Sequence, residues 1–239
     1  MHTRHALVLC LAVPALAAAQ GGTCSARSAA QPPAVVELYT SEGCSSCPPA
    51  DRWFSTLKGR PDVLALAFHV NYWDRLGWPD RFANAATTER QHLVQRAGAA
   101  PYVYTPQVVQ NGRDWRAWQS SGDRGLQPLA PSPIAIALER SGSRITATVS
   151  GAAAGQRLAG YWAVLEDGHV SRVKAGENAG TTLKHDHVVT LYKPLPAWTG
   201  AASPTLDMPA PMGGTSRRVA FVVTDPQGVK PVQAAVLGC

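Results

Sequence analysis

Cys44-Ser45-Ser46-Cys47 sets two thiols at C-x-x-C spacing, directly ahead of Pro48-Pro49-Ala50-Asp51. Two sulfurs this close can work as a reversible dithiol–disulfide couple, hold a soft metal ion, or form an inert bridge. What flanks them decides which chemistry is favoured. Val35-Val36-Glu37-Leu38-Tyr39 reads as a short apolar strand. Ala50 to Lys58 reads as a helix with Trp53, Phe54 and Leu57 on one face, stopped by Gly59. The pair thus falls at a strand-to-helix junction with the first thiol at the helix mouth. Amides there lack intrahelical partners and the helix dipole is positive, so thiolate is favoured over thiol. The chemistry expected is thiol–disulfide exchange; the alternatives are a soft-metal (copper) binding or carrier protein and a non-catalytic binding module with a structural disulfide.

The five cysteines and the first residues set the compartment. Arg4, the apolar run Ala6 to Ala15 and Ala17-Ala18-Ala19 read as a signal peptide over residues 1–19, with Cys10 a filler in its apolar core. Four cysteines remain: Cys24, Cys44, Cys47 and Cys239. Three pairings are formally possible. The close spacing favours Cys44 with Cys47, leaving Cys24 and Cys239 as a structural clasp. The protein is expected to be periplasmic or secreted, without membrane insertion, since no later run reaches the ~18 apolar residues of a span. The formal charge of +6 is spread over scattered arginines with no basic run, which disfavours a nucleic-acid partner.

The elements around the pair read in order. After an extended leader (20–33) come the strand from Ala34, the helix, and the apolar strand Val63 to Val70, which does not alternate and so is buried on both faces. The aromatic loop Asn71 to Asp80, a helix from Ala83 to Ala97, Thr105-Pro106, a strand and an Asn111-Gly112 hairpin signal follow. This order predicts a thioredoxin-like α/β domain over 34–129. Its closing helix is broken by Ser120-Ser121-Gly122 and Pro128. Beyond Pro128, Pro131 and Pro133 the pattern turns to short strands, which predicts an all-β, sandwich-like domain over 130–239.

With these runs in hand, the chain resembles the exported thioredoxin-like family catalogued as domain of unknown function 1223. The resemblance rests on Glu37 to Asp51, Phe68 to Asp74, Tyr104 to Gly112, and Gly176-Glu177-Asn178-Ala179-Gly180. Asn71 stands where an acid is expected. In a thioredoxin-like site Cys44 is the exposed nucleophile and Cys47 the buried resolving thiol. Thr105 and Pro106, joined by a cis bond, face the sulfurs and position a substrate strand. The expected partners are protein or peptide thiols and disulfides, with no cofactor.

Other side chains also bear on the chemistry. Tyr72, Trp73 and Trp78 could form a substrate platform or fill the core beneath a loop. His69 could join the two cysteines around a soft ion such as Cu(I), but reads better as a buried, hydrogen-bonded histidine. His185-Asp186-His187 could be half a metal site but reads better as a solvated turn. Asp51 could tune the thiols but reads better as a solvated acid in the first helical turns. Glu42 reads as exposed, and would raise the thiol pKa if close. No Ser-His-Asp set, phosphate loop, dinucleotide fingerprint or H-E-x-x-H appears, which disfavours hydrolase and nucleotide chemistry.

Overall fold

The computed structural model describes residues 24–239, so the signal segment read at 1–19 and the first part of the leader lie outside the described residues. In chain order the elements are β1 (Cys24–Arg27), β2 (Ala34–Thr40), α1 (Pro48–Ser55), β3 (Val63–His69), α2 (Ala85–Arg96), β4 (Gln107–Gln110), β5 (Arg113–Asp114) and α3 (Trp118–Ser121). Then follow β6 (Ala135–Ser141), β7 (Arg144–Ser150), β8 (Arg157–Asp167), β9 (His169–Arg172), β10 (Thr182–His185), β11 (Val188–Thr199), β12 (Thr205–Asp207), β13 (Ser216–Thr224) and β14 (Pro231–Leu237).

Local chemistry accounts for the elements near the cysteines. Every residue of β2 is buried, as are all but the first of β3, because α1 and α2 cover opposite faces of their sheet. Val36, Leu38, Ala65 and Ala67 face Ala50 and Phe54 of α1 and Leu57 in the turn after it, the helix ending at Ser55 rather than running to Lys58. Val35, Leu64, Leu66 and Phe68 join Val94 of α2. Two prolines occupy the first turn of α1, where missing donors cost least. Asn84 opens α2: its side chain accepts from Ala86 N and Thr87 N, and Thr87 Oγ1 accepts from Asn84 N in return. Thr87 therefore completes the cap of the helix.

The fold class read from the sequence is corrected by the sheet. Residues 34–129 do not close a thioredoxin-like α/β domain. One eight-stranded mixed sheet, ordered β14-β13-β8-β11-β3-β2-β4-β5, draws strands from both sides of residue 130. The join is a parallel pairing in which Val188 of β11 meets Ala67 of β3, strengthened by a 2.8 Å bond from Ala67 N to His187 O. Helix is sparse, and the expected closing helix is only α3 and a 3₁₀ turn at Gly122–Gly125. The physical reason is that β3 offered a fully apolar strand with a free edge. Local pattern cannot show which distant strand fills it.

A second sheet, β1-β6-β7-β12, packs across the far half of the large one. Ile136, Leu138, Ile145 and Ala147 meet Trp162, Val164, Val219 and Phe221 in a shared core. The end of the leader is thus a strand, with Cys24 opposite Arg140. Cys24 is disulfide-bonded to Cys239 at a Cα separation of 6.4 Å. The hairpin β9-β10 is a separate two-stranded sheet.

Candidate functional site

Two successive turns carry the chain from β2 into α1. Cys44 N donates to Ser41 O and Cys47 N to Cys44 O, each at 3.1 Å. Cys44 and Cys47 are disulfide-bonded with Cα atoms 5.4 Å apart. The N-cap of α1 is Cys47, not Cys44, and no side chain caps it. Pro48 and Pro49 have no N–H to offer, and Ala50 N and Asp51 N already donate to Cys47 O at 2.9 and 3.1 Å. The free amides expected beside the first thiol are therefore spent. A thiolate here draws on the dipole, and at Cys44 on Ser46, whose Oγ lies 3.4 Å from Sγ.

The expected exposure is also corrected. Cys44 and Cys47 both have 0% accessible surface, while Ser45 and Ser46 between them are exposed. Two segments pack on the loop that carries Cys44. Trp73 packs on Gly43, where an added Cβ would stand 3.0 Å from Trp73 Cβ, so any larger residue would have to push the aromatic loop back by a few tenths of an ångström. From the opposite end of the chain, Asn178 Nδ2 donates to Glu42 O and to Cys44 O, both at 2.9 Å. Ser45 N donates to Glu177 Oε2 at 3.0 Å. Glu177 and Asn178 were not among the residues singled out for chemistry. Their only sequence signal was membership of the Gly176 to Gly180 run.

The aromatic loop divides in two. Trp73 Nε1 donates to Thr105 Oγ1 at 2.8 Å, and the Thr105-Pro106 bond is cis. Trp78 Nε1 donates to Glu42 Oε2 at 2.7 Å. Tyr72 turns away, donating to Gln91 Oε1 of α2 at 3.2 Å. Trp73 and Trp78 therefore flank the Glu42–Cys44 segment, Thr105 holds Trp73 in place, and Tyr72 ties the loop to α2. Asn71 joins Thr88, whose Oγ1 donates to Asn71 Oδ1 and accepts from Asn71 N. Cys24 and Cys239 belong to the other end of the fold, beside β6, where Arg140 Nη1 donates to Cys239 O.

Behind the cysteines lies a buried layer of ionisable groups. His69 Nδ1 and Asp80 Oδ2 are 2.6 Å apart, and Asp80 also accepts from Glu42 N and Phe82 N. Burial opposes charge on both partners, but their mutual attraction wins. His69 is held above its ordinary range and Asp80 below that of a carboxylate. His185 Nε2 lies 3.2 Å from Glu42 Oε1, and its ring meets His69 edge to face at 4.9 Å. For Glu42 burial is again overcome, by the nearby His185 and the bond from Trp78, and the acid is strengthened. Asp51 is buried and pushed up, chiefly by that burial. With His69 and His185 it faces a tightly packed gap between α1 and the sheet.

These positions correct three sequence readings. Asp51 and Glu42 are not exposed, and His185 and His187 are not a solvated turn, being 3% and 2% accessible. The reason is the hairpin β9-β10, which brings residues more than a hundred positions away over the start of α1. His69 is a buried histidine bonded to an acid, and it lies with Asp80 rather than in a ligand set. Among the described residues no group of three or more His, Cys, Asp or Glu side chains is placed to hold a metal ion. Among the same residues no helix is long and apolar enough to cross a membrane.

The fold and site define a mixed β-sheet protein that buries a C-x-x-C disulfide at the start of a helix. Residues 35–224 match the model of a family described as protein of unknown function, DUF1223, and the chain belongs to that family. Among solved structures it is similar to a protein from Agrobacterium tumefaciens, at 27% identity and a TM-score of 0.59 over 85% of this chain and 93% of that one. It also shares its fold with HBP35 of Porphyromonas gingivalis, at 15% identity and a TM-score of 0.57 over 86% and 74% of the two chains. No curated protein matches the chain.

Proposed function

We propose that Cys44 and Cys47 are a reversible thiol–disulfide couple acting on protein or peptide thiols and disulfides, in the periplasm or outside the cell. One observation carries this reading. The bridge at the start of α1 is backed by buried ionisable groups, Asp51, His69, Asp80, Glu42 and His185, that a purely structural clip has no need to bury. Burying such groups costs free energy, and several of them hold protons outside their usual ranges. Groups able to exchange protons beside a disulfide suit a couple that releases and takes up protons as it cycles. Cys44 is the attacked sulfur, next to the segment covered by Trp73 and Asn178. Cys47 is the leaving and resolving sulfur at the helix cap.

The local donors also set a direction. With the first amides of α1 spent or absent, the reduced thiolate gains less than an open helix terminus would give it, and the disulfide is correspondingly favoured. The test is equilibration of Cys44–Cys47 with glutathione buffers, followed by alkylation, in a Cys24→Ser/Cys239→Ser background. The expected potential lies within the span of about −120 to −270 mV of working oxidoreductases, towards its reducing end. A pair that stays oxidised across the whole buffer range, with Cys44 unreactive to alkylation after forced reduction, rules out the exchange reading.

A further inference from the structure

The couple proposed above is sealed as it stands, and the seal is built from identifiable contacts. Residues 173–181 form the tip of the β9-β10 hairpin. Val173 N donates to Thr181 O, Gly180 N to Val173 O, and Thr181 N and Oγ1 to Asn178 O. These bonds make the tip a small unit satisfied within itself. Its links to the cysteine loop are the two bonds from Asn178 and the one accepted by Glu177. Towards the aromatic loop Gly176 faces Leu76 and Trp78, leaving room for a methyl group, and Glu177 feels the charge of Arg75.

The root of the hairpin is different. His169, Ser171, Leu183 and His185 are buried there. Beside the root, Pro48, Asp51, Arg52, Thr182, Leu183 and Lys184 line a groove of about 160 Å³, so the hairpin is not packed flush along α1. An anchored root, a self-contained tip and three polar links to the reacting loop are the parts of a cover that can lift without unfolding the rest.

What the tip occupies is informative. Asn178 takes the carbonyl of Cys44 and Glu177 the amide of Ser45. These are the main-chain groups flanking the nucleophile that an extended polypeptide would use to align its own sulfur. We infer that residues 173–181 are an internal cover over Cys44, and that an incoming extended polypeptide bearing cysteine displaces Asn178 and Glu177 and takes their places on Cys44 O and Ser45 N. This rests on the exchange reading given above.

The chemistry then follows in balance. A substrate thiolate attacks Cys44 Sγ and forms a mixed disulfide, while the Cys44–Cys47 bond breaks and its electron pair leaves on Cys47 Sγ. A second substrate thiolate attacks the substrate sulfur of the mixed disulfide and releases Cys44. In this direction the substrate ends as a disulfide, and both cysteines end as thiols after taking up the two protons the substrate thiols gave off. Each exchange is reversible. The reverse, in which reduced Cys44 and Cys47 return two electrons and two protons to a substrate disulfide, is the direction that a potential towards the reducing end favours.

The test uses the full chain, with dithiothreitol as the reducing probe and hydrogen exchange at the Ser45 amide as a reading that needs no redox activity. Asn178→Ala should raise the rate of Cys44–Cys47 reduction roughly tenfold, since it removes two bonds made only in the covered state. Glu177→Gln, at an exposed position that does not threaten folding, should raise it by less, about threefold. Ser45 exchange should quicken in both variants while the unfolding midpoint of Glu177→Gln stays near that of the parent. If both variants reduce at the parental rate with Ser45 exchange unchanged, the cover is overturned while the exchange reading stands. If Ser45 exchange quickens but the pair stays oxidised against every probe, the cover stands and the exchange reading falls.

Discussion

Arg90 of α2 reaches across the core to Glu37 of β2, with Nη2 2.7 Å from Oε1 and Nε 3.3 Å from Oε2. Neither side chain has appreciable contact with solvent. Tyr39 and Tyr161 donate their hydroxyls to the same carboxylate, and Arg90 Nη1 donates to Gly228 O. Tyr161 lies on β8 and Gly228 just before β14, so this pair ties the helix-bearing strands to the strands that follow residue 130.

Removing one partner leaves the other charged in the core. Arg90→Ala should therefore cost about 3–5 kcal/mol of stability, whereas an apolar replacement of both side chains should cost much less. Urea denaturation of the two variants measures the difference. Equal losses would show that the pair is not held as a buried charge couple.

His69 and Asp80 give a second test. Asp80 holds the imidazolium, so His69 should titrate above its ordinary 6.5 in the parent and fall in Asp80→Asn, where the opposing effect of burial is left less answered. A raised histidine pKa stabilises the fold below the unfolded-state value, and that stability is lost as pH rises through the folded value. A lowered aspartate pKa stabilises above the unfolded value and is lost as pH falls through the folded one. The pair contributes most between those limits. The test is an NMR titration of the His69 ring, and an unchanged midpoint in the variant would count against the assignment.

His187 titrates in the opposite sense. Burial lowers it to about 4, with Arg218 adding repulsion against the attraction of Asp167. Between 6.5 and about 4 the unfolded chain binds more protons than the folded one, so stability should decline as pH falls through that window, by up to ~3 kcal/mol. His187 has φ 58°, a left-handed conformation that asparagine tolerates. His187→Asn should flatten the decline without breaking the turn, as read from denaturant midpoints across pH.

The aromatic loop can be loosened at a single atom. Thr105→Val removes the acceptor for Trp73 Nε1 at nearly constant volume and should cost about 1 kcal/mol. Its sharper signature is local: the Trp73 indole proton should shift and exchange faster, while that of Trp78, bonded to Glu42, stays as it was. If the Trp73 proton is unaffected, Trp73 is held by packing on Gly43 alone.

The clasp between Cys24 and Cys239 closes a loop of sequence separation 215. The chain-entropy relation gives about 5 kcal/mol for so long a loop, an upper figure in practice. Cys24→Ser/Cys239→Ser should lower stability by several kcal/mol while leaving Cys44–Cys47 intact, measured by thermal unfolding and thiol counting.

These residues also show what a sequence discloses. The C-x-x-C at a strand-to-helix step, the buried strand at Val63 to His69 and the alternating strands beyond residue 134 are local patterns, and each is present. The architecture was not legible in the same way, because the partner of β3 is β11, and no periodicity in either strand names the other. Glu177 and Asn178 were missed for the same reason. An exposed glutamate and a turn asparagine become part of the site only when a hairpin carries them across to Cys44. Asp51, Glu42 and His185 read as surface groups because each sits in a polar stretch whose burial is imposed from elsewhere.

The junction between β3 and β11 also governs how this protein comes into being. During synthesis β2 and β3 emerge early, yet the neighbour that completes the edge of β3 follows about 120 residues later. Through that interval a strand of Val, Leu, Ala and Phe has one side of its backbone unpaired, the kind of edge that recruits other chains. Pairing so distant in sequence slows folding and lengthens the exposure. A chain halted between residues 130 and 187 should therefore aggregate, and one extended through β11 should not.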